Sequence, residues 1–276
     1  MRTHNKIRDD VGLGGQLDPN ANFGCALAAL GDQDGDGVPD LLVGTRHAWA
    51  GGNQGALWLL ALDGIATVGF ERGDDPLGAP LANGLSLASS PAFSRSLALT
   101  SSGANLGAAV FDSTPLGPND PSQDRDLLVG KGNLLILQDS FVSTQTQPGI
   151  FDRPNDDADG GVLAFQLARP SAALALDLVD IDPGQNQSSS VKLFDAAGRS
   201  RSFAVPAGWT EDLRTHGPPA WRTLDLTTLA PQPGYVATAT ASELPGFDPL
   251  GVVRIEVRLG SSGGVDDVQF DPHPEH

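Results

Sequence analysis

Seven residues near the C-terminus, Val253-Arg-Ile-Glu-Val-Arg-Leu259, alternate without a break: every odd position is apolar and every even one charged. Side chains on an extended strand point to opposite faces in turn, so this pattern predicts a half-buried β-strand with one wet face. The same period recurs in Leu163, Phe165 and Leu167, and again in Leu174, Leu176 and Leu178. Leu134-Leu-Ile-Leu137 is apolar throughout, which predicts a strand buried on both faces. Asp195-Ala-Ala-Gly198 stands between Val191-Lys-Leu-Phe194 and Ser202-Phe-Ala-Val205 as a hairpin turn would. No stretch sustains a helical period. With 34 Gly and 21 Pro in 276 residues, the chain is punctuated everywhere and a helical bundle is untenable. The expected fold class is all-β, with an antiparallel β-sandwich or jelly roll over residues 68–271 and a short tail at 272–276.

Charge narrows the partners. Against 17 Lys+Arg the chain carries 34 Asp+Glu, a formal net charge of −17. Nucleic acid and anionic membranes both reward clustered cations, so neither is expected as the main partner. The longest apolar run, Ala56-Leu-Trp-Leu-Leu-Ala-Leu62, is far short of the ~20 residues of a membrane helix, and no membrane insertion is expected. Basic residues in Met1–Arg8 have no apolar stretch behind them, so no signal peptide is visible. A single cysteine, Cys25, allows no intrachain disulfide; set in an apolar stretch, it reads as a small buried residue rather than a nucleophile. The acids are 29 Asp and 5 Glu, a bias toward turns and cation loops rather than helices.

That bias is densest in Asp32-Gln-Asp-Gly-Asp-Gly-Val-Pro-Asp40. Asp32, Asp34, Asp36 and Asp40 occupy loop positions 1, 3, 5 and 9, with Gly37 at position 6. Alternate acids on a tightly curved loop turn their carboxylates inward, Gly37 permits the bend, and the Val38 carbonyl supplies a further oxygen. Ca²⁺ takes six to eight oxygens at about 2.3–2.6 Å, and this set matches it. An ordinary Asp/Gly-rich turn accounts for the composition but not for the spacing. An EF-hand needs a bidentate Glu at position 12 and flanking helices; position 12 here is Val43, inside Leu41-Leu-Val-Gly44, which reads as a strand. The expectation is a calcium loop entering a β-strand.

Phe23-Gly24, Ala28-Ala-Leu-Gly-Asp32, the acidic loop, Asp40-Leu-Leu-Val-Gly44 and Gly52-Asn-Gln-Gly-Ala-Leu-Trp58 together resemble an FG-GAP repeat, the blade of the integrin α-chain propeller and of many bacterial surface proteins. The family pattern usually has Gly-Ala-Pro after the strand, where this chain has Gly44-Thr45-Arg46. The resemblance implies one propeller blade within residues 1–67. One blade cannot close a ring, so it also implies a longer exported protein of which this chain is the C-terminal part, and an extracellular or cell-surface location.

The remainder is similar in outline to secreted bacterial β-sandwiches of the carbohydrate-binding jelly-roll kind. Phe70-Glu71, Phe111-Asp-Ser113, Asp124-Arg-Asp-Leu127, Gly132–Ile136, Asp180-Ile-Asp182 and Gly264–Phe270 carry that likeness. It implies a second Ca²⁺ shared by Glu71 on the first strand and Asp267 (or Asp266) on the last; two ordinary surface acids are the other reading. Asn155-Asp-Asp-Ala-Asp159 reads as a plain turn or as a further cation loop, near which Asp180 and Asp182 would lie. Trp209 and Trp221, in a Gly/Pro-rich stretch, either stack on a sugar ring or plug the end of the sandwich. Catalytic signatures are poor: the five His are scattered and no nucleophile elbow occurs. The functional expectation is an exported, calcium-binding, non-catalytic adhesion or ligand-binding protein with an extracellular glycan or protein ligand. A carbohydrate-binding module or carbohydrate-active enzyme, and a structural cell-surface spacer, are the alternatives.

Overall fold

The computed structural model describes residues 22–31, 39–46, 55–60, 65–72, 79–87, 97–119, 125–185, 187–217 and 220–272. They fall into two compact units, 22–60 and 65–272. The first holds β1 (Ala26–Gly31), β2 (Asp40–Thr45) and β3 (Ala56–Leu60) in an antiparallel sheet of that order. Leu41–Gly44 is strand, as its apolar pattern predicts. Val43 is buried on one face, where Phe23 meets Trp58 edge to face at 6.5 Å. On the other face Leu57 and Leu59 are exposed. Cys25 departs from the expectation of burial. It precedes an edge strand whose residues are almost all exposed, and its thiol is exposed too, donating to the Gly44 carbonyl at 3.3 Å.

The second unit is an all-β antiparallel sandwich. Its strands are β4 (Ala66–Val68), β5 (Leu97–Ser102), β6 (Ala108–Asp112), β7 (Asn133–Leu137), β8 (Gly161–Val179), β9 (Ser189–Asp195), β10 (Ser200–Val205), β11 (Trp221–Asp225), β12 (Gln232–Pro233), β13 (Thr238–Glu243), β14 (Val252–Leu259) and β15 (Gly264–Asp271). A single turn of helix, α1 (Leu213–His216), interrupts them, capped by the Asp212 carboxylate on the Arg214 amide. Because β4 pairs with β15, residues 66 and 67 belong to the sandwich, and the boundary read at residue 67 falls inside a strand of it.

The 19-residue β8 organises the whole. Its first half pairs with β14 and β5; its second half pairs with β15 and β11. One layer therefore runs β12-β13-β10-β9-β14-β8-β5, and the other runs β6-β7-β15-β8-β11, with β4 alongside β15 beyond the end of β7. The ladder to β14 skips from Gln166–Arg254 to Ser171–Val252. Pro170, which has no N–H to give a ladder, lies in that gap at the corner where the strand changes layers.

Between the layers lies the main core, built from the expected alternation. Leu163, Phe165 and Leu167, then Leu176 and Leu178, come from β8; Ile255, Val257 and Leu259 come from β14; Val265, Val268 and Phe270 come from β15. A second apolar cluster covers the outer face of the β6-β7-β15-β8-β11 layer: Ala109, Phe111, Leu134, Ile136 and Val179, capped by Leu127, Leu128 and Phe151 from loops. Two cores, one on each face of β7, are why Leu134–Leu137 is apolar at every position. Each such side chain taken out of water stabilises the fold by about 1.5–3 kcal/mol.

Candidate functional site

Of the acidic loop, Asp32, Asp34, Asp36 and Val38 lie outside the described residues. Asp40 is described: it is the first residue of β2 and is wholly buried.

The outer face of the β15-β8-β11 layer holds a charged cluster built around Lys131. Register lines the face up in rows. Ile136, Gly264, Val179 and Trp221 form one row across β7, β15, β8 and β11. Two residues along, Asp266, Asp177 and Thr223 form the next. At this point β15 bulges: Val265 and Val268 both enter the core, so Asp266 and Asp267 both turn outward, with Asp267 at φ 46°. Asp177 and Asp266 thus stand directly opposite one another on adjacent strands, an arrangement that like charges destabilise.

Lys131, in the loop before β7, resolves the conflict. Its Nζ lies 2.7 Å from Asp177 Oδ2, 2.9 Å from Asp267 Oδ2 and 3.5 Å from Asp266 Oδ2, and 4.0 Å from the centre of the Trp221 ring. The Thr223 hydroxyl donates to Asp177 Oδ1. Burial pulls the Lys131 ammonium toward deprotonation, but its hydrogen bonds to Asp177 and Asp267 and their negative charge outweigh this and hold it well above the usual lysine range. Burial, with the Asp267 charge next, pushes the Asp266 carboxyl up to about 8.

Glu71 closes the same end. Its Oε1 accepts from the Asn133 amide at 3.2 Å, and Asn133 Nδ2 donates to the Phe70 and Leu81 carbonyls. A Cβ on Gly132 would sit 2.7 Å from Glu71 Oε1, and one on Gly69 would sit 2.6 Å from Glu71 Oε2 and 3.7 Å from Asp267 Oδ1. Glu71 and Asp267, the two residues paired by sequence likeness, thus each place an oxygen near Gly69. The Lys131 that shares Asp267 with them was not legible in the sequence.

Among the described residues one acidic triad brings an oxygen from each member within 4.8 Å of the others: Asp126, Asp180 and Asp182. Asp180 and Asp182 follow β8, and Asp126 comes from a 3₁₀ turn at Arg125–Leu127. The Arg214 Nε lies 2.6 Å from Asp126 Oδ1, the Gly184 amide donates to Asp182 Oδ1 at 2.8 Å, and the Ser262 hydroxyl donates to Asp180 Oδ2 at 3.2 Å. Burial, reinforced by the Asp212 charge, raises the carboxyls of both Asp126 and Asp182. Asp180 and Asp182 thus meet Asp126 in this triad, while the adjacent Ser262 and Gly263 link Asp180 to the 155–159 loop. The Asn155 amide donates to Gln138 Oε1, the Asp159 amide to Asp157 Oδ1, and the Gly263 amide to Asp156 Oδ2.

Neither tryptophan offers a free face for a sugar. Trp209 is 2% exposed inside the main core, its Nε1 donating to the Gln232 carbonyl at 3.1 Å. Trp221 is half-buried against the second cluster with the Lys131 ammonium over its ring. The strongly exposed aromatic among the described residues is Phe141, on the turn after β7, which no sequence pattern singled out.

No protein-family model matches the chain, and no curated protein matches it. Among solved structures it is similar to an agarase, AgWH50C, at 12% identity and a TM-score of 0.28, over 42% of this chain and 19% of the agarase's. A likeness that low carries no argument about activity.

Proposed function

We propose that this chain is a calcium-dependent, non-catalytic ligand-binding or adhesion protein of the cell exterior, with Ca²⁺ held by the Asp32–Asp40 loop. The observation that carries the reading is the 1-3-5-9 spacing of Asp32, Asp34, Asp36 and Asp40 around Gly37, which supplies the oxygen set that Ca²⁺ takes. Calcium then neutralises the loop and locks the strand behind it. An ion that binds only the folded state adds about 4 kcal/mol at a thousandfold excess over its dissociation constant.

The test is thermal. A chelator lowers the melting temperature of the wild-type chain, and Asp34→Ala with Asp36→Ala removes that sensitivity. An unchanged melting curve with chelator would refute calcium occupancy. For the ligand, the same protein is retained on a glycan or extracellular-protein array in calcium and released by chelator, without turnover of the bound glycan.

A further inference from the structure

The two outer faces of the sandwich differ. The outer face of the β6-β7-β15-β8-β11 layer is covered by the second apolar cluster. That of the β12-β13-β10-β9-β14-β8-β5 layer stays open to solvent, and register orders its outward side chains. Across β9 and β14, Phe194 stands beside Arg254, Lys192 beside Glu256 and Ser190 beside Arg258. The Lys192 row continues through Ser202 and Ser242 on one side and through Ala164 and Thr100 on the other. Three bases, Lys192, Arg254 and Arg258, thus share this centre with one acid, Glu256, on a chain that carries 34 acids against 17 bases. We propose that this face binds an anionic glycan, a polysaccharide that bears carboxylate or sulfate groups. The inference uses neither calcium nor the Asp32–Asp40 loop, so it adds a second binding site to the reading above.

Three observations carry it. The first is local charge. Arg254 Nη2 lies 3.3 Å from Glu256 Oε1, so that pair is neutral, whereas neither Lys192 nor Arg258 is ion-paired with a described residue. The face therefore holds two uncompensated cations on a chain of net charge −17. At physiological ionic strength charges farther away than about 8 Å are largely screened, so these cations and not the distant acids set what the face attracts. The second is placement. The Arg254 guanidinium carbon lies 4.2 Å and Lys192 Nζ 4.8 Å from the centre of the Phe194 ring, which holds both bases over the strands. Arg254 and Arg258 stand four residues apart on one strand, about 13 Å, with Lys192 between them on its neighbour. Bases set out along a line suit charges repeated along an extended polymer rather than a single small anion. The third is texture. Ser202, Ser242 and Thr100 are small and leave the sheet flat beside the bases. Their hydroxyls both donate and accept, which fits the hydroxyl-rich edge of a sugar better than the apolar side chains of a peptide.

The test uses the full chain and three matrices built on one backbone: dextran, carboxymethyl dextran and dextran sulfate. A charged matrix retains the chain and dextran does not; added salt releases it and chelator leaves it bound. Lys192→Gln with Arg258→Gln weakens retention about tenfold, as the loss of two exposed ion pairs implies, and leaves the melting temperature at the wild-type value. Glu256→Gln, which frees Arg254, strengthens retention. The proposal is overturned if neither charged matrix holds the chain, if dextran holds it as well as they do, or if the double variant melts normally and is held as tightly as wild type. Polyglutamate that competes as well as dextran sulfate would give the face to an acidic peptide and overturn it too. So would a salt-sensitive self-association that the same two substitutions abolish, since the occupant would then be a second copy. Release by chelator would move the glycan to the calcium loop; a chelator without effect on melting, with retention intact, would refute the calcium reading and leave this one standing.

Discussion

Single residues in this protein act through what their neighbours donate to them. Asp195, at the hairpin between β9 and β10, is 2% exposed and accepts from the Ala197 and Arg199 amides, the Asp248 amide and the Arg199 guanidinium. Burial alone would raise its carboxyl, but the Asp248 and Arg199 bonds outweigh burial and hold it below the usual range. A carboxylate depressed in the folded state stabilises fully above its unfolded value, about 3.9, and loses that contribution as pH falls through its folded value. Asp195→Asn keeps one acceptor and turns an amide toward the donors. The variant is expected to melt below wild type at pH 7, with the gap narrowing as the pH falls below about 4. A gap independent of pH would remove the charge from the account. This turn was legible in Asp195-Ala-Ala-Gly198, because a turn is a local object. Asp126, which joins Asp180 and Asp182, and Lys131, which joins Asp177 and Asp267, were not legible, because each comes from a turn or loop that tertiary packing lays against distant segments, and no local pattern records that packing.

Elements show the same division. The alternation of β14 was read correctly from Ile255 to Leu259, whereas at its start the buried residue is Val252 rather than Val253, because a bulge shifts the phase there. β8 read as two separate runs, since Arg169-Pro170 interrupts the pattern. It is one strand because the interruption is the corner between layers and not an end. The burial of β7 on both faces makes a sharp prediction. Leu134→Ala and Leu135→Ala point into different cores, and each is expected to cost about 2–5 kcal/mol. In β14, with one wet face, Ile255→Ala costs the same, while Arg258→Ala stays within about 0.5 kcal/mol. Urea titration measures all four, and a tolerated Leu134→Ala would mean that the outer cluster is not a second core.

At the scale of the whole molecule, every described strand pairs within its own unit. If the acidic loop is the calcium-dependent element, the strand it leads into, β2, is the one a chelator loosens, and the unit of β1, β2 and β3 answers a chelator first. Calorimetry of the full chain is expected to show a small endotherm that chelator lowers and a larger one that it leaves in place; movement of the larger one would assign a metal to the sandwich as well. The larger endotherm should also be single, and the reason is β8. Its partners β5, β11, β14 and β15 span most of the unit's sequence, so neither layer can be completed until distant segments have found the same ribbon. Such long-range assembly places refolding in the millisecond-to-second range or slower. While one half of β8 waits for its partners, its bare edge is open to other chains, and that interval is where aggregation during synthesis would begin.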